Sequence, residues 1–201
     1  MTDADPRPRT VLSLFDYTGI WSEPYRAVGY EVIRVDIQHG SDVMDPALLE
    51  LTDVHGVLAA PPCTDFANSG ARWFAMKDID GRTAASIKLV ARTMRIIHAL
   101  KPKWWALENP AGRIHKLLPD LGQPRFKFQP YEFGEPYSKM TWLWGDFAIP
   151  EKDPVAVEPE GMRKGQPPAW YSAFGGSSIA TKNARSRTSP AFAYAFAKAN
   201  P

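Results

Sequence analysis

Six short apolar runs rich in β-branched and aromatic residues punctuate this chain, and most are separated by stretches that read as helices or turns. VLSLFD (11–16), EVIRVD (31–36), VHGVLAA (54–60), KWWALEN (103–109), FKFQP (126–130) and TWLWG (141–145) have the length of strands. Ser22-Glu23-Pro24 opens a short helix, and Asp45-Pro46 caps and starts another over 46–51. The strongest helical pattern covers 83–100, where Ile87, Val90, Met94 and Ile97 recur at spacings of three and four. Strands that alternate with helices form βαβ units. Such a chain folds as α/β, a doubly wound, mostly parallel sheet with helices on both faces.

Texture changes after about residue 150. The stretch 151–188 is rich in Pro, charge, Gly and Ser, and Ser189-Pro190 then opens a terminal helix through AFAYAFAKAN. The expected organisation is a core over 1–150, an irregular segment over 151–188 and a helix over 189–201 that packs back on the core.

A sheet of this type binds ligands outside the carboxyl ends of its strands. Four strand ends carry chemistry-bearing residues and fall on one edge: Phe15-Asp16 with Thr18-Gly19, Asp36, Pro61-Pro62-Cys63, and Glu108-Asn109. Gly19 admits close approach of a bound group to the backbone, or it serves a simple turn. Asp36 either caps the next turn or holds ribose hydroxyls, and Asp42 is either a turn residue or an acceptor for an adenine amino group. Cys63 is the only cysteine, so no internal disulfide exists and a reducing, cytoplasmic setting is expected. A carboxylate at a buried sheet edge is costly unless something uses it, which singles out Glu108.

These residues, in this order, resemble the cytosine-C5 DNA methyltransferases over about residues 11–145. LSLFDYTGIW is similar to the family's first motif, with Tyr17 and Ile20 where glycines are usual. Asp36-Ile37 and Asp42-Val43 match its next two elements. Pro62-Cys63-Thr64-Asp65-Phe66 matches the nucleophile motif, and Glu108-Asn109 the Glu-Asn motif. FGEPYSKMT (133–141) aligns with the late motif, with Tyr137, Lys139 and Thr141 where Gln and two Arg are usual.

The resemblance implies a Rossmann-like class I methyltransferase fold and S-adenosylmethionine as cofactor, held by Phe15, Asp16, Thr18, Gly19, Asp36, Ile37, Asp42, Val43, Pro61 and Pro62. It implies catalysis by Cys63, Glu108, Asn109 and Lys139, with Cys63 adding to cytosine C6. It further implies a small, phage- or prophage-like form without a full target-recognition domain, in which 151–188 supplies minimal recognition. Duplex DNA with a flipped base is the implied partner. Arg72, Arg82, Arg163, Lys164, Arg185 and Arg187 are its candidate contacts, joined by Lys88 and Arg92. Residues 161–190 hold five basic groups and no acid, which suits phosphate. The segment 64–81 reads as a closing loop, with Arg72 and Trp73 placed to fill the gap a flipped base leaves.

The same chemistry on a free cytosine nucleotide or single strand, or a catalytically weak DNA- or cofactor-binding protein, are the competing readings. His39, His55, His98 and His115 lack metal-ligand spacing, so no metal is expected, and no apolar run has membrane-spanning length. The sequence does not fix a protein partner or an oligomeric state.

Overall fold

The computed structural model describes residues 8–153 and 186–201. Six strands, β1 (Thr10–Leu14), β2 (Glu31–Val35), β3 (Val54–Ala59), β4 (Trp104–Pro110), β5 (Phe126–Phe128) and β6 (Thr141–Asp146), form one sheet in the order β2-β1-β3-β4-β6-β5. β2, β1, β3 and β4 pair in parallel. β6 is inserted antiparallel between β4 and β5, so it alone runs against the rest. This is a doubly wound, Rossmann-like arrangement, a mostly parallel sheet with one reversed strand. All six apolar runs became strands.

The central strands are buried on both faces, as parallel strands flanked by helices must be. β3 has no exposed residue. Its side chains alternate between two apolar layers: Val57 and Ala59 join Leu12, Leu14 and Leu107 on one face, while Leu58 joins Val11 and Ala106 on the other. The first face is covered by α3 (Arg82–Leu100), which follows α2 (Phe74–Ile79). α1 (Glu23–Ala27) and the terminal α5 (Pro190–Ala199) cover the second face; the one-turn α4 (Ile114–Leu117) follows β4 and buries Ile114 in the first.

Two expectations shift. The helix expected over 46–51 is a 3-10 turn, Pro46–Leu49, started by Asp45 Oδ1, which accepts from Ala47 N at 2.9 Å. On α3 the buried seam runs through Thr83, Ser86, Val90, Thr93 and Ile97, with Ile96 beside it, while Ile87 and Met94 are only partly buried. Small polar residues take the closest positions because their hydroxyls find partners: Thr93 Oγ1 donates to Leu89 O at 2.9 Å and Ser86 Oγ to Asp65. An apolar-spacing rule cannot see a seam of that kind.

α5 is tied in at both ends. Ser189 caps it, accepting from Phe192 N at 3.2 Å and donating to Glu135 Oε1 at 3.1 Å. Phe192 and Phe196 stack among Trp21, Trp104 and Phe128. Buried Asn200 accepts from Ala148 N at 2.7 Å and donates to Ala148 O at 3.0 Å, while Tyr25 Oη donates to Asn200 O at 3.0 Å. Asn200→Ala should leave both Ala148 groups unpaired and cost about 1–3 kcal/mol. Urea denaturation is expected to show a lower midpoint at an unchanged slope, and an unchanged midpoint would mean that the helix is held by its aromatic face alone.

Candidate active site

Because the first four strands in the sheet are parallel, their carboxyl ends share one edge, and β1 and β3 diverge there at the switch point of the strand order. Antiparallel β6 starts at that same edge: Thr141 lies opposite Pro110, and Leu143 opposite Glu108. The late segment around Lys139 is thereby delivered to the ends of β3 and β4. Cys63, Glu108, Asn109 and Lys139 are brought together.

Cys63 begins a tight turn. Its carbonyl accepts from Phe66 N at 3.0 Å and Ala67 N at 2.9 Å, leaving the half-buried thiol at the strand exit. Burial pushes the thiol up from its ordinary range; Lys139 opposes that, while Glu108 and Asp65 add to it. Glu108 is 6% exposed and its Oε1 has no hydrogen-bond partner. Its nearest cation is Lys139 Nζ at 4.0 Å. Burial raises the Glu108 carboxyl above the usual carboxylate range, with Lys139 again opposing. A buried carboxyl and a thiol, both pushed toward their neutral forms, thus share one lysine.

Asn109 is fully buried, and its Nδ2 donates to Pro61 O at 3.0 Å, stitching the end of β4 to the Pro-Pro turn. A cleft beside Glu108 is lined by Tyr137, Lys139, Thr141, Arg187 and Ser189. Burial raises the Tyr137 hydroxyl to about 12. Thr141 Oγ1 turns inward and donates to Lys139 O at 2.7 Å, so this side chain braces its own strand where the family has an arginine. Lys139 Nζ also donates to Arg187 O at 3.4 Å, joining the cleft to the segment before α5.

The residues expected to hold a cofactor lie around the ends of β1, β2 and β3, in differing states. Phe15 takes a left-handed backbone (φ 61°), held by its N–H to Val35 O at 2.7 Å; such strain in a non-glycine residue gathers at functional turns. Asp16 is buried and accepts from Ser13 Oγ at 2.8 Å and Ser22 Oγ at 2.6 Å, which makes it the internal brace of this turn. Gly19 lies against Arg34, where a Cβ would come within 2.5 Å of the guanidinium. Thr18 is exposed beside it and Oγ1 accepts from Ile20 N at 3.4 Å.

Asp36 caps the following 3-10 turn through Oδ1 (Gln38 N, 2.8 Å), and Asp42 closes a turn through Oδ1 (Met44 N, 2.9 Å). Both keep a second carboxylate oxygen for other use. Ile37 is 77% exposed next to Asp36, whereas Val43 is buried in the core and its carbonyl accepts from Arg92 Nε at 3.0 Å. Pro61 is buried and Pro62 exposed. At the end of β2 an acid thus stands beside an exposed aliphatic side chain.

Of the basic residues, Arg72 is exposed over the Trp73 ring at 5.2 Å, Arg82 is exposed and paired with Asp80 at 2.6 Å, and Arg187 is exposed at the cleft. Arg92 is committed inside the fold, donating to Val43 O and Asp45 O. Lys88 is exposed on α3. Arg163, Lys164 and Arg185 lie outside the described residues.

The stretch expected to close as one loop is largely structured: a 3-10 helix, Asn68–Trp73, runs into α2. It is fastened by groups that the motif match passed over. Arg113 clasps Asp78 through both guanidinium nitrogens at 2.7 and 2.8 Å and donates to Asp65 O at 3.1 Å and Thr83 Oγ1 at 2.9 Å. Asp78 is held well below the usual carboxylate range by that clasp. Gly112 completes the contact, because a Cβ there would lie 2.0 Å from Phe66 O.

The model of C-5 cytosine-specific DNA methylases matches residues 12–117, just over half of the 201-residue chain. The chain belongs to that family. The match takes in the first motif, Cys63 and Glu108. Among solved structures, a chain described as a prophage-encoded DNA modification methyltransferase (E. coli) shares 15% identity over 85% of this chain and 55% of its own, with a TM-score of 0.46. The Entamoeba histolytica methyltransferase EhMeth shares 15% over 86% of this chain and 61% of its own, at 0.45. This family member therefore spans about 55–61% of the length of those two chains. No curated protein matches it. Among the described residues no cluster of three His, Cys, Asp or Glu could hold a metal, and no helix is long and apolar enough to cross a membrane.

Burial of the Glu108 carboxyl has a consequence for stability. Its folded-state value is raised, so its contribution is fully present below the unfolded value and is lost as pH rises through the folded one. Glu108→Gln should equal wild type in melting temperature at acid pH and exceed it at neutral pH. Thermal melts across that range check the sign, and a variant less stable at neutral pH would show that the ionised pair with Lys139 stabilises the fold.

Proposed function

We propose that this protein transfers a methyl group from S-adenosylmethionine to C5 of cytosine in DNA, through a covalent bond between Cys63 Sγ and C6. The observation that carries the reading is a thiol at a strand exit beside a buried carboxyl whose Oε1 has no partner. The two ends are joined by Asn109. A fold that needed only stability would gain nothing from an orphaned buried acid.

The chemistry follows from what each group offers. Cys63 gives up its proton to solvent and its sulfur attacks C6, which moves electron density through the ring toward N3 and C5. Glu108, whose protonated form burial favours, donates at N3 and accepts from the exocyclic amine, countering the charge that develops. Lys139 lowers the cost of the thiolate. Asn109 holds the nucleophile turn in register with the carboxyl. S-adenosylmethionine, when bound, supplies an electrophilic methyl group to the activated C5. Water takes the proton from C5, the bond between sulfur and C6 breaks with the electron pair returning to sulfur, and N3 returns its proton to Glu108, restoring the ring.

Asp36, through its remaining oxygen, and exposed Ile37 are proposed to hold the adenosine end, with Phe15, Thr18 and Gly19 shaping the turn below it and Asp16 keeping that turn rigid. Pro61 and Pro62 complete the wall. Val43 supports from the core, and Asp42 offers its free oxygen to the purine. Duplex DNA delivers the base by flipping it out, and the exposed Arg72, Arg82 and Arg187 are the proposed contacts to its backbone. Arg163, Lys164 and Arg185 extend the same proposal to 151–188 as a recognition segment that follows the 1–150 core and precedes the 189–201 helix.

Two measurements test this. Calorimetry with S-adenosylmethionine should show binding by wild type and a loss of about 1–3 kcal/mol in Asp36→Ala; absence of binding to wild type would remove the cofactor. A 5-fluorocytosine substrate cannot release its C5 substituent as a proton, so turnover should stall as an adduct on Cys63. Intact mass should show it only with the methyl donor present, and in neither Cys63→Ser nor Cys63→Ala. Offering duplex, single strand and free nucleotide in parallel identifies the substrate, and methyl transfer by Cys63→Ala would overturn the mechanism.

A further inference from the structure

Helix α2 is built the wrong way round for a surface helix. Its one buried residue is Lys77, 5% exposed, while Met76 and Ile79 stand 48% and 87% exposed. Met76 precedes it and Ile79 lies two positions on, so the lysine is not there to fill space. Burying an ammonium is costly unless its partners are close, and here they belong to the turn that begins at Cys63. Lys77 Nζ donates to Thr64 O and lies 3.3 Å from Asp65 Oδ1. The other oxygen of Asp65, itself 7% exposed, accepts from Ser86 Oγ of α3 at 2.6 Å. The two residues after the thiol are thus gripped from two helices.

We propose that Lys77 and Asp65 are positioning residues for Cys63, a buried ion pair that fixes the turn bearing the thiol and balances the charge beside it. The inference rests on the reading of Cys63 as nucleophile. Around the thiol stand Glu108 from β4, Lys139 from the approach to β6, and Asp65 from its own turn. Around Asp65 stand Lys77 from α2 and Ser86 from α3, with Arg113 on its carbonyl and Arg82 at longer range. Removing Lys77 leaves the Asp65 carboxylate uncompensated beside the thiol, whereas removing Asp65 takes that charge away, so the two removals act in opposite directions.

Cys63 is the only cysteine, so the rate of iodoacetamide alkylation against pH reads this thiol directly, without DNA or cofactor. Asp65→Asn should lower its apparent pKa by roughly half to one unit and Lys77→Met should raise it by a similar amount. The double variant should return toward wild type, and Lys77→Arg should stay close to it. Single-turnover methyl transfer should fall roughly ten-fold or more in Lys77→Met with cofactor affinity unchanged. Shifts of the same sign in both single variants, or an unmoved profile in Asp65→Asn, overturn the proposal; Asp65→Asn and Lys77→Arg carry that test by themselves if Lys77→Met does not fold. Opposite shifts in a protein whose wild type methylates nothing would uphold the charge coupling and count against the proposed function instead.

Discussion

The hydrogen bond from Asn109 Nδ2 to Pro61 O joins two strand ends that the backbone ladder no longer holds. β3 and β4 are paired only as far as Ala59 and Leu107; beyond that, Pro61 and Pro62 cannot donate, and the turn would otherwise be free to drift. The amide restores the missing link from a side chain that is itself fully buried. The thiol two residues on is placed relative to Glu108 by this bond, and Glu108 is in turn placed by the β4–β6 register that brings Lys139 alongside. One hydrogen bond thus coordinates three segments distant in sequence.

The site is consequently a set of charges held in a dry place at some cost. Glu108 and Cys63 are both pushed toward their neutral forms by burial, and a single lysine works against both shifts. Such a pair is more useful than it is stabilising, since each group is ready to exchange a proton and neither is satisfied by the fold. The compensating stability lies in the aromatic layer of Trp21, Tyr25, Trp104, Phe192 and Phe196 that packs under the same face of the sheet as Glu108.

The strands were legible because parallel central strands demand uninterrupted apolar, β-branched runs, and those cannot be disguised. The motif residues were legible because strand ends carry short, chemically distinct clusters. What escaped was anything set by polar packing. Thr83 and Ser86 on the inner seam of α3, and Lys77 on the inner face of α2, look like surface residues until their partners Arg113 and Asp65 are placed beside them. Arg92 reads as a free cation in sequence and is a brace between α3 and the turns at Val43 and Asp45. The 46–51 stretch failed as an α-helix because a single proline-led turn suffices between β2 and β3 when Leu48 alone must be buried.

Ser189, in the wall of the cleft beside Glu108, belongs to a segment that closes the structure from its far end: Tyr25 reaches Asn200 across 175 positions and His55 reaches Pro201 across 146. On a ribosome these partners emerge long after the strands that carry the thiol and the carboxyl. The edge that bears the thiol and the carboxyl therefore keeps its aromatic floor uncovered until residue 200 has left the exit tunnel. A nascent chain of this kind exposes apolar surface until that segment has emerged, and only then can the cleft be completed.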